Sequence, residues 1–134
     1  MRRALALSCL PLCALTVSAC ASTTATSNYK GAAHSVAQTV ANLQSAVTGG
    51  EQKKICTEQF AARVVASLGG TKGCETAVKE QLLEIDSTEA TVENVQVSGT
   101  TATAKVKSVV AGKKALTGVT LVEEGGRWKI SGVQ

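Results

Sequence analysis

Cysteine offers the most chemistry in this chain, and it occurs at Cys9, Cys13, Cys20, Cys56 and Cys74. A thiolate is a strong nucleophile toward alkylating groups, and Cys20 presents one directly after Val17-Ser18-Ala19. The other reactive groups are sparse. Acid–base catalysis needs a group of tuned pKa within hydrogen-bond reach of substrate, and the combination available is Glu93 with Tyr29 or His34. His34 is the sole histidine and Asp86 the sole aspartate, so a metal site lacks ligands. Serine-nucleophile and phosphate-loop motifs are absent. The Gly-Gly pairs at 49–50, 69–70 and 125–126 lack the strand–loop–helix context of a phosphate cradle and read as turns. No cofactor is expected.

The elements around those residues decide their use. Met1-Arg2-Arg3 is cationic, Ala4 to Ala14 is apolar, and Thr16 to Ala19 narrows to small residues. That is the layout of a secretory signal peptide. A spanning helix needs about 20 apolar residues, and this run is shorter and carries Pro11. Val17-Ser18-Ala19-Cys20 resembles the lipobox of bacterial lipoproteins. The resemblance implies cleavage between Ala19 and Cys20 and a diacylglyceryl group on the Cys20 thiol. It implies a lipid anchor on the outer face of the cytoplasmic membrane, because two acyl chains anchor stably where one does not. Ordinary cleavage after Ala19, leaving a free thiol at the mature N-terminus, is the alternative. The expected organisation is a signal peptide over 1–19, lipidated cysteine and flexible tether over 20–28, and one folded domain over 29–134.

Loss of 1–19 leaves 115 of the 134 residues and lowers Lys+Arg from 14 to 12 against 10 Asp+Glu. So small an excess, with no basic cluster beyond Lys53-Lys54 and Lys113-Lys114, argues against nucleic acid as a partner. Cys56 and Cys74 remain as an even pair in an oxidising compartment, which favours a disulfide. Such a bridge is worth about 3 kcal/mol in the chain-entropy model. Two buried thiols are the alternative.

Tyr29, Ala33, Val36, Val40, Leu43 and Val47 follow the spacing of one helical face, stopped by Gly49-Gly50. His34 falls roughly 100° from that stripe, at its flank. A short helical turn over Glu51 to Cys56 carries Ile55 inward. Thr57 then caps a second helix with Phe60, Val64 and Leu68 on one face. Cys74, Val78, Leu82 and Ile85 mark a third. A twelve-residue helix between the cysteines would separate them by about 18 Å, whereas bridging needs Cα atoms within about 7 Å. A disulfide therefore requires a returning Gly69–Gly73 loop, or a shorter or bent second helix.

From Asp86 the period becomes two. Ala90, Val92, Val95 and Val97 alternate with a slip at Glu93-Asn94 that predicts a bulge. Turns at Ser98-Gly99-Thr100, Gly112-Lys113-Lys114 and Glu124-Gly125-Gly126 divide the rest into a four-stranded antiparallel meander. Helices followed by strands give an α+β fold.

The long first helix, the cysteine-bearing helix pair and the closing Glu124-Gly125-Gly126-Arg127-Trp128-Lys129-Ile130 resemble NTF2-like (cystatin-like) lipoproteins of high-GC bacteria. The resemblance implies N-terminal helices packed on a curved four-stranded antiparallel sheet, a cone whose open end holds a ligand. The expected function is a non-catalytic domain binding a small apolar ligand, in a pocket of Val, Leu and Ala, or an envelope protein. A small hydrolase or isomerase using a carboxylate in the cone is the alternative. Tyr29 and Trp128 are the candidates for ligand contact, although Trp128 also reads as core.

Overall fold

The apolar stripe of the first helix sets the fold. In the computed structural model, which describes residues 26–83, 88–110 and 112–134, Gly31–Thr48 form α1. Val36, Ala37, Val40 and Ala46 are buried on one side, as an amphipathic helix requires. Tyr29 stands just before the helix, and its hydroxyl donates to the Val92 carbonyl at 3.2 Å. At the other end the Glu51 N–H reaches the Ala46 carbonyl at 2.9 Å and the Gly50 N–H reaches that of Val47 at 3.1 Å. This is a Schellman ending, and Gly50 supplies its left-handed residue at φ 65°.

Strands β1 (Thr88–Ser98), β2 (Thr101–Val110), β3 (Lys113–Glu124) and β4 (Arg127–Val133) form one antiparallel sheet in the order β1-β2-β3-β4. The expected bulge is present, with the register shifting between Val92 and Asn94. A second shift lies between Thr120 and Leu121, opposite Ser131. Each bulge bends its strand and sharpens the twist, so the sheet curves over α1. Its inward residues Val92, Ala102, Ala104, Val106, Leu121, Trp128 and Ile130 pack against Val36, Ala37 and Val40 to make the main core.

Between α1 and the sheet the chain departs from expectation. Gln52–Lys54 form a short α2, and Ile55–Gln59 form a single wide π turn. Phe60 is extended and bridges Ile130 in parallel, and the Ala61 N–H donates to the Ile130 carbonyl at 2.8 Å. The second helix therefore does not begin at Thr57 or contain Phe60. It is α3, Ala62–Ser67. The third, α4, runs Gly70–Leu83. Thr57 caps nothing and instead donates to the Lys53 carbonyl at 2.9 Å. Shortening α3 to six residues brings the cysteines within reach: Cys56 and Cys74 are bonded, with Cα atoms 6.0 Å apart. The bridge lies in a second core with Ala46, Ile55 and Val78.

Candidate functional site

Where α1 leaves the sheet, an open cleft of about 600 Å³ forms beside the β3–β4 hairpin. The flank of α1 supplies His34, Gln38, Thr39 and Asn42, and the π turn supplies Glu58 and Gln59. Strands β3 and β4 supply Glu123, Arg127 and Trp128. The flank is polar because α1 has buried its apolar stripe elsewhere. Thr39 sits at the boundary, itself buried, and its hydroxyl donates to the Ser35 carbonyl at 3.0 Å and faces that of Trp128 at 3.4 Å. Gln38 donates its amide to Asn42 at 3.1 Å.

Gln59 differs from these exposed or locally satisfied groups. It is 4% exposed, and among the described residues its carboxamide has no hydrogen-bond partner. Buried polar side chains are nearly always paired, and an unpaired one calls for a reason. Its position is held from several sides. The disulfide fixes Cys56 within the same turn, and the Lys129 ammonium donates to the carbonyls of Thr57, at 3.1 Å, and Glu58. Immediately after the turn, Ala61 is tied to Ile130, and the Ala62 N–H donates to the Glu124 carboxylate at 3.1 Å. A π turn lets Ile55, Cys56 and Gln59 all face inward, and such turns recur at functional positions.

The structure treats the residues singled out from sequence unevenly. Trp128 is both core and cleft wall, at 8% exposure. Tyr29 packs at the edge of the core and is not a lining residue of the cleft. His34 lines the cleft at the flank expected of it, and its Nδ1 meets the Thr26 carbonyl at 3.0 Å. A carbonyl only accepts, so that nitrogen carries the proton. Thr26 is thereby held against α1 instead of belonging to a free tether. Glu93 faces solvent and pairs with Lys107 at 4.0 Å. No hydrogen bond joins Glu93, Tyr29 and His34 among the described residues. Ala19, Cys20 and Asp86 lie outside the described residues.

The lining of this cleft is mainly polar, with Ala32 its one residue among Val, Leu and Ala, whereas a second cleft of about 770 Å³ on the sheet includes Val97, Ala102, Leu121 and Val122. Gln59 went unnoticed in the sequence although a signal was there. Ile55 was read as inward, and Gln59 follows it by four residues, on the same side of a helical turn. Among the described residues no three of His, Cys, Asp and Glu cluster to hold a metal.

Comparison with known proteins bears on the fold and the family. No relative was found among curated proteins. A structure named Rd1NTF2_05, carrying five substitutions, is 12% identical with a TM-score of 0.53, over 74% of this chain and 95% of that one. An NTF2-like protein of unknown function from Shewanella baltica OS155 is 13% identical with a TM-score of 0.48, over 78% and 94%. A de novo designed protein with a curved β-sheet gives 17% and 0.40, and the match spans 48% of this chain and 61% of that one, under two thirds of its length. The described fold is NTF2-like, on the match to Rd1NTF2_05. The family model Lumazine_bd_2, whose description is "Putative lumazine-binding", matches residues 40–132. That is more than half of the chain, and the protein accordingly belongs to this lumazine-binding-like family.

Proposed function

We propose that this protein is a lipid-anchored lipoprotein of the bacterial envelope whose domain binds a small planar polar ligand of the lumazine type without transforming it. The observation that carries the binding reading is the polar cleft between α1 and the β3–β4 hairpin, with hydrogen-bonding side chains on both walls and Trp128 among its lining residues. Ligand sites commonly combine an aromatic wall with a few placed polar groups. The family description supports a heterocycle as the occupant. A non-catalytic role is supported by the separate engagement of Glu93, Tyr29 and His34. An envelope protein remains the second class of partner, and the anchor itself rests on the Val17-Ser18-Ala19-Cys20 motif.

Trp128 is the only tryptophan, so its emission reports on the cleft without interference. Titration of the full chain with lumazine is expected to quench that emission saturably, and thermal unfolding is expected to rise with ligand. A linear, unsaturated change with no thermal shift would reject the reading. For the anchor, Cys20→Ser is expected to abolish incorporation of labelled fatty acid and to leave the leader uncleaved. Normal trimming with unchanged labelling of that variant would sink the lipoprotein assignment.

A further inference from the structure

Gln59 sits in the wall of the cleft with its carboxamide desolvated and unpaired by protein among the described residues. Leaving a buried amide unsatisfied is costly, and folding keeps it there with a disulfide, an ammonium clamp and a strand pairing around one turn. An apolar side chain of the same length would fill that space without the penalty. The polar group therefore has a use that the empty domain does not display.

We propose that Gln59 determines ligand specificity by reading a lactam or imide edge. A carboxamide carries one acceptor and one N–H donor side by side. Its complement is a ring N–H next to a ring carbonyl. The pair closes as two hydrogen bonds, the ring N–H donating to Gln59 Oε1 and Gln59 Nε2 donating to the ring carbonyl. A carboxylate offers no donor for Oε1, and a hydrocarbon offers neither group, so both are disfavoured. Because the turn is pinned before the ligand arrives, little ordering is lost on binding, and the contact serves discrimination more than bulk affinity.

This inference rests on the cleft being the binding site, and the experiment separates the two. Full-length wild type and Gln59→Leu are titrated with three probes: lumazine, its N3-methyl derivative, which lacks the imide N–H, and uracil, the smallest imide ring. Wild type is expected to bind lumazine about 10–100-fold more tightly than Gln59→Leu does, and to bind N3-methyl lumazine no better than the variant does. Without ligand, Gln59→Leu is expected to melt at the wild-type temperature or above it, because it removes an unsatisfied group. A purely structural glutamine would give the opposite, a lower melting temperature, and would overturn the proposal. Equal lumazine binding by both proteins overturns the role of Gln59 and leaves the cleft as the site. Uracil binding that depends on Gln59 while lumazine fails upholds edge reading and removes the lumazine assignment. Failure of all three probes with wild type rejects both.

Discussion

Gly73→Ala is expected to destabilise the domain by about 3 kcal/mol, although alanine is the better helix former. Gly73 lies in the first turn of α4, and a Cβ there would stand 2.0 Å from the Leu68 carbonyl oxygen and 3.0 Å from its carbon. The obstruction is backbone, so no side chain can swing aside. Gly69 and Gly70 cause the approach: φ values of 89° and 81° fold the chain back on itself between α3 and α4. Relieving the overlap means moving α4 away from Leu68. That shift pulls on Cys74, which is fully buried and bonded to Cys56. For a domain near 100 residues the predicted loss lowers Tm by on the order of 15 °C. Gly125→Ala is the control. Its φ is 58°, but no atom lies within 4 Å of the added methyl, so the cost should be about 1 kcal/mol from backbone strain alone. Denaturant midpoints of the two variants that coincide would refute the packing argument.

The same tight reversal explains what could and could not be read from the chain. The sheet was legible nearly to the residue, because strand alternation and turn glycines are local signals. The slip at Glu93-Asn94 became a register shift between Val92 and Asn94. The segment from Thr57 to Leu68 is not the continuous helix that the spacing of Phe60, Val64 and Leu68 by four fits. What overrides it is a contact 70 residues away: Phe60 bridges Ile130 and Ala61 bonds its carbonyl. Local periodicity carries no information about such a pairing. Yet the conflict between a twelve-residue helix and a Cys56–Cys74 bridge already required a returning Gly69–Gly73 loop or a shorter or bent second helix, and α3 is the shorter helix.

The site was less legible than the fold for a related reason. The ionisable candidates of the sequence each have a partner of their own: Glu93 pairs with Lys107, Tyr29 donates to the Val92 carbonyl, and His34 meets that of Thr26. The groups that do converge on the cleft are neutral or are charges without a catalytic motif, and glutamine has no pKa to attract notice. Only burial distinguishes Gln59 from the other glutamines, and burial is set by the π turn and by β4 pressing against it. Trp128 reads from sequence as core and as a candidate for ligand contact, and the structure places it in the main core and among the residues that line the cleft.

Replacing Cys56 and Cys74 together by alanine is expected to lower stability by about 3 kcal/mol, the loss associated with releasing a loop of this length. The bonded residues are 18 apart in sequence and both buried, within a cluster of Ala46, Ile55 and Val78 that has no aromatic among its buried members. Small apolar residues give that cluster little area to bury, so the covalent link carries a large share of what holds α4 to the π turn. Alanine is the chosen replacement because it adds no polar group to a dry site, as serine would. Wild type treated with a thiol reductant under denaturing titration should shift its midpoint to near that of the double variant, while the double variant itself should not respond to reductant. Function should follow stability at one point. Gln59 is three residues from Cys56 in the same turn, so lumazine affinity of the double variant should fall even where the protein remains folded, through loss of a fixed turn and not loss of a contacting group. A double variant with wild-type midpoint and wild-type affinity would show that the hydrogen bonds from Lys129 and the Phe60–Ile130 bridge hold the turn unaided, and that the disulfide is dispensable to both fold and cleft.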